Sequence, residues 1–521
     1  MNYVIGSGPA GVACASALAK RGLEVTVVDI GDDLPPAARR LGERLRSTPL
    51  EARDPSLRAP LHAPLSLTTR GIGRKLVHGS DFAYGDGVRD TRLESHGVDV
   101  ATSVARGGFS NVWGAAVLPV CARDIASWPL TLAELAPHYE AVLDMMPLAA
   151  TKDDLTSLLP LYCLDRQPLR PSAQASALLE DLERSREALN ARGFVFGAAR
   201  LAVAQRTAFA ADGCVYCGLC LHGCPYDLIY NSARTLDGLV ATRRVRYVPG
   251  VIVRTVRERG DGVEISGQTR ADGRAVRFDG ARVFVAAGAM ATTAIVLASL
   301  GAYDREITLR QSQYFAFPWL RYRGTRGVSA ERVHTLAQVF LEVADPALSE
   351  ELIHLQVYSY NDLFELAAER RVPRLLHPVL GGVLSHLLYV QGYLHSDVSP
   401  SIALRLMAGA DGGRLRLDAR DDGRATEIIR GLLAKLRAAR RELRAVPIAR
   451  LLTIGRPGFG AHVGGTFPMR SEPGAFDSDR LGRPAGFARV HVVDAAALPS
   501  LPATTITLTV MANAHRIGSS A

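Results

Sequence analysis

The sequence predicts an α/β fold: a parallel-sheet domain that begins at the N-terminus, together with an antiparallel-sheet region. Three observations carry this expectation. Residues 2–29 run strand, glycine-rich turn, helix, strand and terminal acid in that order. Apolar and polar residues alternate with period two in several stretches between 333 and 418. The chain has 521 residues, more than one hydrophobic core usually organises. Its 48% hydrophobic and 22% charged residues are ordinary globular usage, which excludes the disordered and fibrous classes.

The opening segment is the most regular. Tyr3, Val4 and Ile5 form a short apolar strand that enters GSGPAG, with Gly6, Gly8 and Gly11 in GxGxxG order. Such glycines permit a tight turn and close approach of backbone N–H groups to a pyrophosphate. The helix that follows has small apolar residues at Ala10, Ala13, Ala17 and Leu18, and its N-terminal dipole favours an anion. The strand EVTVVD then places Asp29 about 20 residues beyond the glycines, where an acid binds adenosine ribose hydroxyls. This is a Rossmann-like pattern. No second such fingerprint occurs, which favours one tightly held FAD over a flavoenzyme with a separate nicotinamide domain.

Between Cys214 and Cys224 the chain reads CVYCGLCLHGCP. Four soft thiolates at these spacings can converge on one iron-sulfur cluster, and the Pro after the last Cys turns the chain away. Zinc also accepts four thiolates, but zinc knuckles usually separate two CxxC pairs by a longer loop. Cys214, Cys217, Cys220 and Cys224 are therefore expected to hold a 4Fe-4S cluster in preference to a 3Fe-4S form. Cys14, Cys121 and Cys163 are scattered and do not read as a disulfide framework.

Strand patterns fall at Val333 to Val343, Ile353 to Tyr360, Tyr389 to His395, Ala403 to Met407 and Arg414 to Asp418, and together predict an antiparallel sheet. His354, Gln356, Tyr358 and Tyr360 share one face of the second, and Tyr389, Gln391, Tyr393 and His395 one face of the third. That face either meets water or presents donors, acceptors and aromatic walls to a polyol, with Gln356, Tyr358, Gln391, Tyr393 and His395 as candidate substrate residues. The run Leu375 to Ser396 is long enough to cross a bilayer, yet its Pro, Gly and His content reads better as a buried helix followed by a strand. Thr426 to Val446 predicts an amphipathic helix whose basic side either is solvated or docks on anionic lipid or an acidic redox partner.

The segments RGGFSNVWG (Arg106 to Gly114), RVFVAAGA (Arg282 to Ala289), HVGGTFPM (His462 to Met469) and VHVVDAAALPSLPATTITLTVMANA (Val490 to Ala514) occur in that order. With the N-terminal fingerprint they resemble the glucose-methanol-choline (GMC) flavoprotein oxidoreductases, over about half of the chain. The resemblance implies a GMC/p-hydroxybenzoate-hydroxylase-like architecture: an FAD-binding domain in 1–150, 233–310 and 456–521, an insertion with the cysteine loop in 151–232, and a substrate domain in 311–455. It places Gly107, Gly108, Ser110, Asn111 and Val112 beside the isoalloxazine, Val253 along the adenine and Asp494 with Ala495 at the diphosphate and ribityl chain, and it makes Ala287, Gly288 and Thr505 further cofactor-binding residues. Some members attach FAD through a His where this chain has Val112, so a non-covalent flavin is expected here.

The same resemblance makes His462, in an HxxGT motif, the base that takes an alcohol proton while hydride leaves for flavin N5 across roughly 3 to 3.5 Å. The family usually places a second His or Asn where this chain has Thr505. A hydroxyl can hydrogen-bond substrate but is no base at neutral pH, so His462 acts alone, a substrate-domain residue assists, or the physiological direction is carbonyl or alkene reduction. His515 is read as structural. A cluster beside flavin implies a dehydrogenase that discharges single electrons to a cytochrome or ferredoxin. The alternatives are a ferredoxin-fed reductase and a non-catalytic electron-transfer or binding subunit.

Net charge is +9, almost wholly from Arg, since Lys occurs only at Lys20, Lys75, Lys152 and Lys435. The charges scatter rather than cluster, which argues against a nucleic-acid partner. A strand beginning at residue 2 leaves no room for a signal segment, and an oxygen-sensitive cluster suits a reducing compartment, so the expected location is cytoplasmic, with peripheral contact to the inner membrane as an option.

Overall fold

The computed structural model describes residues 1–58, 60, 81–84, 91–163, 167–205, 213–361, 377–409 and 413–521. Its central parallel sheet has the strand order Val490–Val492, Arg282–Val285, Asn2–Ile5, Val25–Val28, Val245–Val248. The middle strands are almost wholly buried, so their sequences are continuous apolar runs and do not alternate. The first strand sits in the middle: its successor along the chain pairs on one side, and Arg282–Val285 pairs on the other. A change of winding direction of this kind leaves a crevice outside the carboxyl ends of the strands.

Helix Pro9–Lys20 leaves the first strand and packs along the C-terminal helix Thr507–Ser520. Small residues permit the approach, since a Cβ on Gly518 would lie 2.9 Å from the Cys14 carbonyl. Between Val245–Val248 and Arg282–Val285 the chain makes a three-stranded antiparallel meander, Val251–Arg259, Gly262–Thr269 and Ala275–Gly280.

The second domain holds an antiparallel sheet in the order Ala445–Pro447, Tyr314–Arg321, Leu387–Leu394, Ile353–Tyr358, Val339–Val343, Phe194–Ala198. Phe194–Ala198 comes from upstream of the cysteine loop, a long-range pairing that no local pattern announces. Phe315, Phe317, Leu355, Val357, Leu388 and Val390 face one way and form a core with helices Ala173–Arg184 and Arg424–Ala438.

Three strand expectations join this sheet, with Val333 to Val343 shortened to Val339–Val343. The other two do not. Ser401–Met407 and Arg414–Arg420 belong to a separate mixed sheet with Val463–Gly464, Glu306–Gln311 and Leu93–His96, the last pairing in parallel. Period-two alternation reports a half-buried strand but not its neighbour, which is why one sheet was expected and two are present. Of the uncharged run, the described part is helix His377–Leu384 followed by strand Leu387–Leu394, and no helix among the described residues is long and apolar enough to cross a membrane. The amphipathic helix ends at Ala438, before the expected Val446. Ile428, Ile429, Leu432, Leu433 and Leu436 are buried, and Lys435 from its polar side pairs with Asp345 at 2.7 Å.

One ion pair crosses the core of this domain. Arg321, 3% exposed, meets Asp181 at 2.6 Å and links the sheet to helix Ala173–Arg184. Removing one partner of such a pair leaves a buried charge uncompensated. Asp181→Ala should lower stability by ~3–5 kcal/mol, and Asp181→Leu with Arg321→Met should recover most of the loss. Denaturant midpoints of the three proteins check this, and a single substitution that leaves the midpoint in place would refute it.

Candidate active site

A cavity of about 450 Å³ opens at the crevice, walled by both domains. One end of it is formed by the first turn. Gly6 has φ of 101°, and a Cβ there would strike the Ala286 carbonyl, so the turn can lie against the neighbouring strand only as glycine. Gly8 and Gly288 differ: a Cβ on either would meet nothing within 4 Å, and both line the cavity at helix starts. Gly11 does not line it. A Cβ there would meet the Gly6 carbonyl, so its role is packing the helix on the turn.

Asp29 lines the cavity, and burial pushes its carboxyl up to about 6 against the hydrogen bonds it accepts from Ser7 and Tyr247. Hydroxyl donors from a ribose would stabilise its charged form. Ser7 also accepts from the Gly107 amide at 2.9 Å, which fastens the segment 106–112 over the turn. Ser232 reinforces the joint with bonds of 3.1 Å to the Ser7 and Gly107 carbonyls. Within that segment Gly108, Ser110 and Val112 line the cavity, while Asn111 braces the loop through the Arg106 and Gly108 carbonyls.

Val253, Ala287, Asp494 and Ala495 also line the cavity. The Asp494 carboxylate is already engaged, accepting from the Gly288 amide at 2.9 Å, Thr292 Oγ1 at 2.5 Å and the Ala496 amide at 3.0 Å. It therefore fixes the start of helix Ala289–Ser299, and any contact to a ligand is additional.

His462 lines the opposite end. Its ring stacks on Tyr393 with centroids 4.8 Å apart, and its Nδ1 is buried without a hydrogen-bond partner among the described residues. Burial, with His354 nearby, lowers its pKa to about 4, so the imidazole is neutral near pH 7 and can accept a proton. Thr505 lines the same end, where its Oγ1 accepts from the Leu118 amide at 3.2 Å, leaving the hydroxyl hydrogen available to a ligand oxygen.

The polar face of the sheet covers this end and is buried, not solvated. Gln356, Tyr358, Gln391 and Tyr393 line the cavity, joined by Tyr314 and Phe459. His395 does not: it lies past the strand end, its Nδ1 accepting from the Asp397 amide at 3.2 Å. Behind the wall runs a hydrogen-bonded chain that the sequence reading missed. Glu342 Oε1 lies 2.6 Å from His354 Nδ1, His354 Nε2 3.1 Å from Gln356 Nε2, and Tyr358 Oη 3.0 Å from Gln356 Oε1. With Nδ1 donating to the carboxylate, Nε2 accepts from the Gln356 amide, whose oxygen accepts the Tyr358 proton. Tyr358 is left presenting lone pairs to the cavity. Glu342 sits opposite His354 in the strand register, a position that period-two alternation could have flagged as polar and core-facing.

Cys214, Cys217, Cys220 and Cys224 surround a second, apolar cavity of about 20 Å³ with Leu169, Ile229 and His334. Burial pushes the Cys214 thiol to about 11 and Cys220 to about 12, and the neighbouring cysteines add to both shifts. Leu221, inside this loop, lines the larger cavity, so the two cavities are neighbours. The loop ends on Asn231, whose side chain caps helix Ser232–Ala241 and accepts from Ala233, placing Ser232 on the 106–112 segment. The dipeptide Asn231–Ser232 ahead of a helical pattern is the local sequence signal for this cap.

A family model described as an NAD(P)-binding Rossmann-like domain matches residues 4–40. No curated protein sequence matches the chain. Among solved structures, pyridoxine 4-oxidase from Mesorbium loti aligns over 99% of this chain and 98% of its own, with a TM-score of 0.60 at 14% identity. A formate oxidase variant from Aspergillus oryzae, studied for FAD modification, aligns over 99% and 97% with a TM-score of 0.63 at 12% identity. From end to end, the chain has the fold of the GMC-type FAD oxidoreductases.

Proposed function

We propose that this protein is an FAD-dependent dehydrogenase that oxidises an alcohol group of a sugar or glycan-type substrate and releases electrons singly through an iron-sulfur cluster. The observation that carries the reading is the apposition of the two cavities: Leu221 lines the larger one, while Cys220 and Cys224 on either side of it in sequence line the smaller. FAD, held non-covalently, would supply a two-electron acceptor and the cluster a one-electron exit to a cytochrome or ferredoxin.

The residues fit FAD. Open space lies over Gly8 and Gly288, Asp29 is placed for ribose hydroxyls, Val253 lines the cavity on the meander side, and Val112 offers no nucleophile for covalent attachment. They also fit a cluster. Cys214, Cys217, Cys220 and Cys224 converge on one cavity and supply the soft thiolate set that a cluster takes. Bound iron would provide the positive charge that turns these raised thiols into thiolates.

At the other end, neutral His462 takes the substrate hydroxyl proton on its imidazole, with Tyr393 stacked beneath the ring to hold its plane. Tyr358, its proton committed to Gln356, accepts from a substrate hydroxyl, and Gln391 adds a second amide to the wall. A wall that accepts hydroxyl protons favours a polyol over a carboxylate. The Thr505 hydroxyl can donate to the oxygen as charge grows on it. A single imidazole in place of the family's pair favours a second reading, a ferredoxin-fed reductase of a carbonyl or alkene, with Thr505 donating to the carbonyl oxygen.

An anaerobic screen of sugars and polyols, followed at the flavin absorption band, tests the assignment. Bleaching by a polyol supports the dehydrogenase, whereas filling by reduced ferredoxin with no response to any alcohol favours the reductase. His462→Ala should slow flavin reduction by ~10²–10⁴-fold. In the wild type the limb owed to His462 should fall as pH drops toward about 4, because the protonated ring cannot accept a proton. That limb should vanish in the variant, and a wild-type limb at or above pH 6.5 would contradict the assignment. Cys217→Ser should reduce iron and acid-labile sulfide and slow transfer to a one-electron acceptor while substrate still bleaches the flavin. Stoichiometric zinc without sulfide in the wild type would remove the relay.

A further inference from the structure

We propose that Asp124, Glu351 and His395 bind a divalent transition-metal ion, Zn2+ or Mn2+, which clamps the sheet domain to the FAD-binding domain beside the loop that carries Thr505. One ligand atom from each of the three lies within 4.8 Å of the other two. An ion at ~2.0–2.2 Å from oxygen and nitrogen ligands spans such a gap. The residues arrive from three separate places: Asp124 from the turn after the cavity wall at Ala116, Glu351 from just before strand Ile353–Tyr358, and His395 from just after strand Leu387–Leu394.

Burial separates this group from an ordinary acidic cluster. Asp124 is 3% exposed and His395 is 1% exposed. Asp124 Oδ1, Glu351 Oε2 and His395 Nε2 are each buried without a hydrogen-bond partner among the described residues. Three such atoms on residues that converge on one point are costly unless something satisfies them together. A divalent cation does so and offsets the two carboxylate charges. The other charges nearby are already committed: Arg310 pairs with Asp397 at 2.9 Å, and Arg123 donates to the Glu350 carbonyl at 3.0 Å.

The remaining atoms of the trio are held. Asp124 Oδ2 accepts from the Cys121 amide at 3.0 Å. His395 Nδ1 is 3.2 Å from the Asp397 amide and 3.9 Å from the Asp397 carboxylate. Ligation through Nε2 puts the ring proton on Nδ1, facing that carboxylate, and gives up the contact to the amide. A carboxylate behind a ligating imidazole orients the ring and raises its basicity. One imidazole with two carboxylates suits Zn2+ or Mn2+ better than Ca2+ or Mg2+, which prefer all-oxygen sets. The trio is also wired to the Thr505 loop: the Ser500 hydroxyl bonds the Asp124 carbonyl at 3.3 Å, and the Ser396 hydroxyl accepts from the Leu501 amide at 2.9 Å.

The test uses FAD-loaded protein stripped with a chelating resin. Mn2+ is titrated in while the electron paramagnetic resonance signal of the free ion is followed, with Zn2+ as competitor. The expected result is saturable uptake of about one ion per chain, displaced by Zn2+, and a higher unfolding midpoint in its presence. Asp124→Asn and His395→Gln should each weaken uptake by ~100-fold at unchanged flavin content, whereas Cys214→Ser should leave it intact. No saturable uptake by the wild type up to about 1 mM would overturn the proposal on its own, without reference to whether the variants fold. Uptake that survives both substitutions, or that disappears with Cys214→Ser, would also overturn it.

Discussion

The turn end of the cavity depends on the hydroxyl of Ser7. It donates to Asp29 across the turn and accepts from the Gly107 amide, and the backbone carbonyl of the same residue accepts from Ser232. Three segments far apart in sequence are thereby held at the carboxyl end of the first strand: the fingerprint, the 106–112 loop and the helix that follows the cysteines. Each bond is worth about 1 kcal/mol net, yet each also satisfies a buried group that would cost more if left alone. The joint needs a small side chain with both a donor and an acceptor, and a flat approach that Gly6 and Gly107 allow.

The second constraint is the burial of a polar sheet face. Glu342, His354, Gln356 and Tyr358 would be expensive in an apolar interior as isolated groups, and as a chain each donor meets an acceptor. A network of this kind is directional, although Glu342 Oε2 has no hydrogen-bond partner among the described residues. It sets which atoms of the cavity wall accept hydrogen bonds, and it holds the sheet against His462 through the Tyr393 ring.

The cysteine loop follows from the same geometry. Its last turn enters the helix capped by Asn231, and that helix begins on the 106–112 segment, so the sulfurs cannot drift far from the larger cavity. Burial disfavours thiolates there, so the charged form would need a cation beside it.

Sequence by itself determined the elements whose signals are local. The strand, turn, helix and acid of residues 2–29 obey short-range rules of glycine conformation and periodicity, and the structure places Gly6, Gly8 and Asp29 together as those rules require. The four cysteines needed only their spacing to be grouped. Tertiary structure alone decided the partners. It split five similar strands between two sheets, recruited Phe194–Ala198 to the sheet edge, turned Gln356 and Tyr393 toward the cavity while His395 went to Asp124 and Glu351, and ended the basic helix at Ala438. The physical reason is that periodicity fixes which side of a strand is buried, whereas what it is buried against depends on contacts between residues hundreds of positions apart.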